Sequence, residues 1–247
     1  MKIPYAYLST IYDTFMAQVS YETWAAFIEK IIDAHIPNAG LVLDMACGTG
    51  SLTTLLKKYE IIALDNSIEM LTLARQKAEA LGQNILFLHQ DMCSFELYGT
   101  VDACISTCDS LNYITNENDL FQVFKLVNNY LNPGGIFIFD INTVYKYEHI
   151  LGDNQFSQVE ENSAVFWENY YHKETNINEY AITIFSTENG KTYIREEEVH
   201  YQKAYTQGEI EELIKEAGLK IIEVYDEYTF SPPRGDSQRI VFVAKKL

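Results

Sequence analysis

Two glycines stand close together in the stretch LVLDMACGTG, residues 41–50, directly after a run of apolar side chains. Glycine adopts positive φ freely and carries no Cβ, so a turn built on Gly48 and Gly50 brings its backbone close to a ligand. In an open α/β sheet such a turn lies beyond the carboxyl end of a strand, where nucleotide-like ligands bind. The dinucleotide pattern G-x-G-x-x-G requires a third glycine where this chain has Thr53, so the turn alone does not specify a dinucleotide.

Carboxylates accompany this turn and the apolar runs that follow it. Asp44 precedes the glycines, Asp65 ends the run IIALD, and Asp91 follows the run ILFLHQ. Each of these residues alone is also typical of a helix cap or a tight turn. Because the carboxyl ends of parallel strands meet along one edge of a sheet, we expect these three strand ends to lie on the same side as the glycine turn.

Alternating helix and strand patterns predict the scaffold that brings these residues together. Apolar side chains at i, i+3, i+4, i+7 and i+8 indicate an amphipathic helix over Tyr21–His35, and continuous apolar runs indicate buried strands. The predicted strands cover residues 41–46, 61–66, 85–92, 101–107 and 136–142, and the helices between them cover 51–58, 67–82 and a segment from Glu117 to the stop at Pro133. Apolar strands separated by helices indicate a parallel sheet covered on both faces.

The pattern changes after Asn142. Residues 164–205 alternate aromatic or β-branched residues with polar ones, and ENG at 188–190 predicts a hairpin turn, so this region is predicted to be an antiparallel meander. The remaining residues restore one helix and two strands. The last strand, over SQRIVFVAKK, is predicted to be antiparallel at or near the sheet edge, after a β-turn around SPPRGD. Arg234 and Arg239 in TFSPPRGDSQR could contact an acidic substrate, although a tight surface turn is favoured.

These elements together predict an α/β fold. We expect a Rossmann-like, seven-stranded, mostly parallel sheet with helices on both faces, the last strand antiparallel, and an inserted antiparallel β meander. Residues 1–145 and 206–247 are predicted to form the core, and residues 146–205 the substrate-side insert.

The composition favours a small-molecule partner. The chain has 247 residues, with 18 Lys and Arg against 35 Asp and Glu and a net charge of −17. Binding a phosphate backbone requires clustered cations, so nucleic acid is not the expected substrate. The N-terminal residues lack the apolar core of a signal peptide, and no run reaches the roughly 18 apolar residues that span a bilayer. We therefore expect a cytoplasmic protein without membrane contact, as a monomer or a homodimer. The four cysteines lack the spacing of a zinc site, so no metal is predicted.

The stretch VLDMACGTGSLTTLL resembles motif I of the class I S-adenosylmethionine-dependent methyltransferases. The resemblance implies S-adenosylmethionine as cofactor and S-adenosylhomocysteine as product. It also implies that a Cβ at Gly48 or Gly50 would occupy cofactor space. The residues that the resemblance places beside the methionine part are Asp44, Ala46, Cys47, Gly48 and Gly50.

Further stretches extend the resemblance across residues 40 to 145. LDNSIEML resembles the family's D-x-S-x-x-M-L signature, and QDM resembles the acidic motif that ends strand three. The resemblance implies that Asp65 accepts the ribose hydroxyls, for which a planar carboxylate is suited. It places Asn66 and Met70 beside the adenine, Asp91 at the adenine amino group, and a backbone N–H at Met92. It also places the main chain near Cys108 at the cofactor's amino group.

The N-terminal stretch YAYLSTIYDTFM is similar to the tyrosine-rich entry helix of small-molecule methyltransferases, including sugar-amine and glycine N-methyltransferase-like enzymes. The resemblance implies that this helix covers the cofactor, with Tyr5 and Tyr12 near the sulfonium and the substrate. The meander resembles the substrate-side insert of the same group more loosely.

Methyl transfer is an in-line displacement that needs alignment and exclusion of water more than a covalent intermediate or a metal. Asp109, in TCDSLNYI after strand four, is the first candidate for a base, with Asn112 and Tyr113 orienting the acceptor. His200 is a further candidate, although a histidine on an alternating strand is more often structural. The alternatives are a helix-capping Asp109 and a packed Tyr113.

Three hypotheses for function follow. The first is a methyltransferase acting on an N or O nucleophile of a small molecule. The others are a nicotinamide-dependent oxidoreductase, which shares the glycine turn and the ribose carboxylate, and a cofactor-binding protein without catalysis. The N/D-P-P-Y/F motif of methyltransferases that modify nucleic-acid amino groups is absent after strand four, which weakens that class.

Overall fold

Two sheets organise the computed structural model, which describes residues 5, 7–187 and 189–247. The strands of the larger sheet are β1 (Leu41–Met45), β2 (Glu60–Asp65), β3 (Leu86–His89), β4 (Val101–Ser106), β5 (Leu131–Asn142), β10 (Leu219–Asp226) and β11 (Arg239–Lys246). The smaller sheet consists of β6 (Gln155–Val159), β7 (Ser163–His172), β8 (Ile177–Ser186) and β9 (Ile194–Lys203).

The larger sheet has the order β10-β11-β5-β4-β1-β2-β3. Strands β1 to β5 pair in parallel, whereas β11 pairs antiparallel with both β5 and β10. The predicted fold class is therefore confirmed, with β11 lying one strand inside the edge. Because the parallel strands run together, their carboxyl ends meet along one edge, as the predicted site requires.

Helices cover both faces of this sheet. They are α2 (Tyr21–His35), α3 (Ile68–Ala80), α4 (Glu117–Tyr130) and α5 (Gln207–Glu216), whereas the short α1 (Tyr12–Phe15) packs against the smaller sheet. Side chains that alternate along the strands pack against α4 and α5 on one face and against α2 and α3 on the other. Successive strand residues point to opposite faces, so an apolar strand supplies two separate cores.

The helix predicted over residues 51–58 is wrong. Only one short turn of 3₁₀-helix forms there, over Thr53–Leu55. Thr53 Oγ1 donates to Asp44 Oδ2 at 2.6 Å, and Thr54 Oγ1 donates to the Gly50 carbonyl at 3.0 Å. Threonine hydroxyls that bond nearby groups in this way compete with a regular helix. The strand predicted over 85–92 is also shorter, because it ends at His89.

The predicted antiparallel meander is confirmed as the four-stranded sheet, with strand order β6-β7-β8-β9. It begins earlier than predicted, because β6 precedes residue 164. A π-helix over Lys146–Leu151, which the sequence analysis did not predict, connects β5 to this sheet. The hairpin predicted at 188–190 includes Glu188, which lies outside the described residues. Among the helices described, none is long and apolar enough to cross a membrane.

Candidate active site

A cavity of about 410 Å³ opens at the carboxyl ends of β1, β2, β3 and β4. The turn after β1, the start of α3, the loop after β4 and the N-terminal segment all contribute to its wall. Eleven of the predicted cofactor residues line it: Tyr12, Asp44, Ala46, Cys47, Gly48, Asp65, Asn66, Met70, Asp91, Met92 and Cys108. The tertiary structure thus brings together residues that four separate strand ends supply.

Gly50 is the predicted cofactor residue that does not line this cavity. A Cβ at Gly50 would lie 3.1 Å from the Ala74 Cβ on α3, so the absence of a side chain permits helix packing here. The expectation that Gly50 borders cofactor space stays a prediction. Gly48 differs, because a Cβ there would meet nothing within 4 Å and Gly48 lines the cavity. Both glycines have positive φ, at 56° and 73° for Gly48 and Gly50.

The turn after β1 is tied to the end of β2 by a carboxylate. The Gly48 N–H donates to Asp65 Oδ2 at 2.8 Å, and the Ser67 N–H donates to Asp65 Oδ1 at 2.9 Å. Each carboxylate oxygen can accept more than one hydrogen bond, so a hydroxyl of a ligand can still bind there. Asp65 is therefore positioned by backbone groups alone.

Two acidic side chains line this part of the cavity, Asp44 buried and Asp65 partly buried. Burial raises the pKa of Asp44 to about 7. The hydrogen bond from Thr53 lowers this pKa, and the nearby Asp65 carboxylate raises it by a smaller amount. Burial also raises the pKa of Asp65, although the Ser67 and Gly48 N–H groups oppose it. A positive charge in the cavity favours the ionised form of both carboxylates, so the site is suited to a cationic ligand.

A buried carboxylate shapes the loop after β4. Asp140 is fully buried and accepts the N–H groups of Cys108, at 3.0 Å, and Asp109, at 2.6 Å. Both residues have left-handed backbone, with φ of 57° and 51°. Such a conformation costs a non-glycine residue about 1 kcal/mol or more, so the two hydrogen bonds to Asp140 hold a strained loop against the cavity.

Asp109 is not placed as the sequence analysis expected. Arg239 donates to Asp109 Oδ1 and to Asp140 Oδ1, each at 2.7 Å, and Gln202 donates to Asp109 Oδ2 at 2.7 Å. Asp109 does not line the cavity. Both oxygens of the Asp109 carboxylate thus bond to side chains of the protein, and its assignment as the base stays a prediction. Tyr228 also donates to Asp140.

Asn112 is likewise a structural residue. It is fully buried, donates to the Asn142 and Lys203 carbonyls at 3.3 and 2.8 Å, and accepts the Asn142 N–H at 2.9 Å. Its three hydrogen bonds join the core to the end of β9, away from the cavity. The Asn112 amide is thus engaged within the protein, and the expectation that it orients the acceptor stays a prediction.

Sequence reasoning missed Asp140 and Gln202 and misplaced Arg239. Arg239 was expected in a surface turn, but it lies on β11 with a side chain only 14% exposed. The one available signal for Asp140 was an acidic residue inside the apolar run IFIFDIN. Only the pairing of β5 with β11 shows why a charge is tolerated there.

Tyr113 and His200 lie in one hydrogen-bonded chain. Tyr5 donates its hydroxyl to Tyr113 at 2.6 Å, and Tyr113 Oη lies 3.0 Å from His200 Nδ1. His200 Nε2 lies 2.8 Å from Glu198 Oε2. Tyr5 and Tyr113 line the cavity, whereas His200 and Glu198 lie behind it.

The N-terminal segment closes one side of the cavity. It forms a 3₁₀-helix over Leu8–Ile11 followed by α1, so the predicted entry helix exists in two short pieces, and Ala6 lies outside the described residues. Glu198 accepts the N–H groups of Tyr5, Tyr7 and Leu8 at 2.9, 2.6 and 3.1 Å.

A second contact joins this segment to the glycine turn. Asp13 accepts the Thr49 hydroxyl at 2.5 Å and Lys77 Nζ at 2.9 Å. Burial raises the pKa of Asp13, but the hydrogen bonds from Lys77 and Thr49 outweigh it, so the pKa is lowered and the carboxylate stays ionised. The N-terminal segment is therefore held at both of its ends, by Glu198 near Tyr5 and by Thr49 and Lys77 at Asp13.

Comparisons with known proteins agree with this geometry. A family model described as a methyltransferase domain matches residues 42–135. YqeM of Bacillus subtilis (strain 168), which its name marks as a candidate methyltransferase, is 34% identical over 98% of this chain and 97% of its own length. A crystal structure of an S-adenosylmethionine-dependent methyltransferase from Clostridium acetobutylicum is 33% identical, covers 98% of both chains and has a TM-score of 0.89. This chain belongs to the class I S-adenosylmethionine-dependent methyltransferases.

A further relative matches about half of the chain. It is the dTDP-3-amino-3,4,6-trideoxy-alpha-D-glucopyranose N,N-dimethyltransferase of Streptomyces venezuelae, 31% identical over 48% of this chain and 49% of its own length. The hypotheses of an oxidoreductase and of a protein without catalysis are thus set aside in favour of the methyltransferase.

The cofactor of this methyltransferase is S-adenosylmethionine. The residues present fit it, because Gly48 leaves open space and the cavity wall carries carboxylates. None of the described residues that line the cavity is Lys, Arg or His. A sulfonium therefore meets acidic and neutral groups on the described wall.

Proposed function

We propose that this methyltransferase transfers a methyl group to an N or O nucleophile of a small molecule. The observation that supports it is the division of the cavity wall. One side carries the carboxylates Asp44, Asp65 and Asp91, and the other carries the hydroxyls of Tyr5 and Tyr113. The first side suits a cofactor with a diol, an amine and a sulfonium, and the second suits a neutral acceptor.

On the cofactor side, we assign roles by the motif matches. Asp65 would accept the ribose hydroxyls, and Met70, which is 2% exposed, would pack against the adenine with Asn66. Asp91, whose Oδ1 accepts the Cys93 N–H at 2.8 Å, would accept the adenine amino group beside the Met92 N–H. The residues assigned to the methionine part are Asp44, Ala46, Cys47, Gly48 and Cys108, with Tyr12 toward the sulfonium.

The size and the lining of the cavity support a small acceptor. The cavity is about 410 Å³, the N-terminal segment closes one side of it, and no cation is found among its described lining residues. With a net charge of −17, the protein as a whole also repels a polyanion, which supports a small acceptor rather than nucleic acid. Residues 146–205 are assigned as the substrate-side subdomain, since β9 carries the groups behind Tyr113.

The chemistry requires little of the protein beyond placement. S-adenosylmethionine supplies, when bound, a methyl carbon already activated by a sulfonium. The glycine turn and the carboxylates hold the cofactor, Tyr5, Tyr12 and Tyr113 shape the acceptor space, and the N-terminal segment excludes water. Orientation of this kind supplies up to about 7–11 kcal/mol of the barrier in well-aligned reactions.

The first test is cofactor binding by titration calorimetry. S-adenosylmethionine, S-adenosylhomocysteine and a reduced nicotinamide dinucleotide are each titrated into the wild type, Asp65→Asn and the control Asp153→Asn, whose side chain is exposed. We expect binding of the first two only, with Asp65→Asn weakened about 10-fold or more by loss of a charged acceptor. Binding of the nicotinamide alone would contradict the proposal.

The second test is an acceptor screen with S-adenosylmethionine labelled in its methyl group. The panel contains amino sugars, primary amines and phenols, with a single-stranded oligonucleotide as the comparison. Label in a small molecule supports the proposal. Label in the oligonucleotide alone would overturn the assignment of a small acceptor.

A further inference from the structure

Tyr5, Tyr113, His200 and Glu198 form one hydrogen-bonded chain that leads away from the cavity. An ionised Glu198 only accepts, so a neutral His200 carries its proton on Nε2 and leaves Nδ1 to accept the Tyr113 hydroxyl. Tyr113 in turn accepts from the Tyr5 hydroxyl. Every donor in the chain thus points toward Glu198, as in the nucleophile–histidine–carboxylate arrangements of hydrolases.

Burial isolates the far end of this chain. The side chains of His200 and Glu198 are each 1% exposed, whereas Tyr5 and Tyr113 line the cavity. A proton can therefore reach His200 from the cavity through a tyrosine hydroxyl. Burial raises the pKa of Tyr5 and of Tyr113, so both hydroxyls stay neutral and can relay a proton but not store a charge.

Glu198 is ionised and able to stabilise a charged partner. Burial raises its pKa, but hydrogen bonds from His200 and from the backbone of Tyr7, Leu8 and Tyr5 outweigh burial, so its pKa is lowered. An imidazolium beside this carboxylate would form a buried ion pair with hydrogen bonds to both partners, which is the geometry that such a pair requires.

We propose that His200 is the terminal base of methyl transfer, reached through Tyr113, and that Glu198 is the residue that positions and stabilises it. This proposal rests on the function proposed above. The acceptor atom gains the methyl group and loses one proton, which goes to Tyr113 Oη as the Tyr113 proton passes to His200 Nδ1. Glu198 keeps its charge throughout, and His200 returns the proton to water when the site opens.

The same carboxylate makes the chain depend on closure of the N-terminal segment. Glu198 holds the backbone of that segment, and Tyr5 supplies the first hydroxyl. The groups that face His200 are Glu198 on its own strand, Tyr113 from the loop after β4 and the Tyr5 ring, whose centroid lies 4.9 Å from the imidazole. Opening of the segment would thus remove the Tyr5 hydroxyl that donates to Tyr113 and the backbone groups that hold Glu198.

The first experiment tests the hydrogen bonds from Tyr5 to Glu198 in the absence of a methyl acceptor. Long-range proton–nitrogen correlation spectra of the histidines are recorded on the full chain saturated with S-adenosylhomocysteine, near neutral pH. We expect His200 as the Nε2–H tautomer, with its Nδ1 resonance shifted by Tyr113→Phe and unchanged by the control Tyr170→Phe on the exposed face of β7. A proton on Nδ1, or no response to Tyr113→Phe, would overturn the proposal.

The second experiment measures methyl transfer to an acceptor found in the screen. Tyr113→Phe and His200→Gln are expected to lower kcat about 10²-fold or more, the usual contribution of a positioned base. Cofactor affinity should change little, and the residual rate should rise with pH as the acceptor loses its own proton. The control His172→Gln, whose side chain is 55% exposed, should keep the wild-type kcat.

The Glu198→Gln variant separates positioning from folding. Glutamine retains one oxygen acceptor, so we expect a kcat loss with the His200 tautomer disturbed, while Glu197→Gln on the exposed side of β9 changes neither. Wild-type kcat in Tyr113→Phe or His200→Gln would refute the relay. Failure of S-adenosylmethionine to bind in the titration would instead refute the proposed function, and the histidine spectra would still decide on the chain.

Discussion

The two sides of the cavity are built in different ways. On the cofactor side, Asp44, Asp65 and Asp91 each lie at or just after the end of a parallel strand, and their neighbours along the chain hold them. On the acceptor side, Tyr5 meets Tyr113 across 108 positions, and Gln202 meets Asp109 across 93. The carboxylates of the cofactor side are therefore held largely by groups close in sequence, whereas the acceptor side exists only after the insert and the core have packed together.

Replacing Asp140 is expected to have the largest effect on the acceptor side. In Asp140→Ala, Arg239 keeps a buried charge beside Asp109 alone, and the N–H groups of Cys108 and Asp109 lose their acceptor. We expect the free energy of unfolding to fall by about 3–5 kcal/mol, the usual cost of breaking a buried ion pair. Urea denaturation measures it, with Asp153→Ala as the exposed control. A loss below that of an ordinary surface substitution would show that the loop after β4 does not depend on this carboxylate.

Substitutions at Gly48 and Gly50 separate stability from cofactor binding on the cofactor side. Gly50→Ala should lower the free energy of unfolding by about 2 kcal/mol, from left-handed strain and the contact with Ala74, and leave cofactor affinity nearly unchanged. Gly48→Ala should cost about 1 kcal/mol of strain but weaken cofactor binding, since its Cβ enters the cavity. Thermal unfolding measures the stability of both variants, and calorimetric titration measures their affinity for the cofactor. The same pattern in both variants would show that the turn acts as one unit.

The pH dependence of stability tests the buried acid of the cofactor side. The pKa of Asp44 is about 7 in the folded protein, above its ordinary value near 4. The folded state therefore binds more protons than the unfolded state between these values. The stabilising contribution of Asp44 is complete below the lower value and is lost as the pH rises through the upper one, by up to about 1.4 kcal/mol per pH unit.

Asp44→Asn keeps an acceptor for Thr53 but cannot titrate. We expect this variant to lose the decline in stability between about pH 4 and 7 that Asp44 contributes to the wild type. Urea titrations at several pH values measure it, with Asp33→Asn on the exposed face of α2 as control. An unchanged decline in Asp44→Asn would assign the effect to other groups.

The smallest expected effect comes from the contact between the N-terminal segment and the glycine turn. Asp13→Asn loses the ion pair with Lys77, which is partly exposed, so stability should fall by only about 0.5 kcal/mol. Cofactor dissociation should accelerate several-fold, because the segment opens more often. Stopped-flow displacement measures this rate, and Asp33→Asn serves again as control. An unaltered rate would mean that Glu198 alone keeps the segment in place.

Much of the fold could be predicted because the core strands are apolar throughout and the helices alternate with them. The strand-end carboxylates were identified by their match to the methyltransferase motifs, and the parallel sheet places successive strand ends at one edge. The helix over residues 51–58 failed because Thr53 and Thr54 bond to Asp44 and Gly50 instead of extending a helix. Strand β6 was missed because five residues with half-buried alternation carry a weak signal.

The sequence by itself determined the α/β class, the inserted meander and the acidic residues that converge at the cofactor side, because these depend on periodicity and on neighbours along the chain. Tertiary structure alone decided that Asp109 pairs with Arg239, that Asn112 joins the core to the insert, and that His200 is connected to the cavity. Each of these contacts joins residues 30 to 130 positions apart. Burial and pairing of a charged group depend on what packs against it, and no local pattern encodes a partner that distant strands supply.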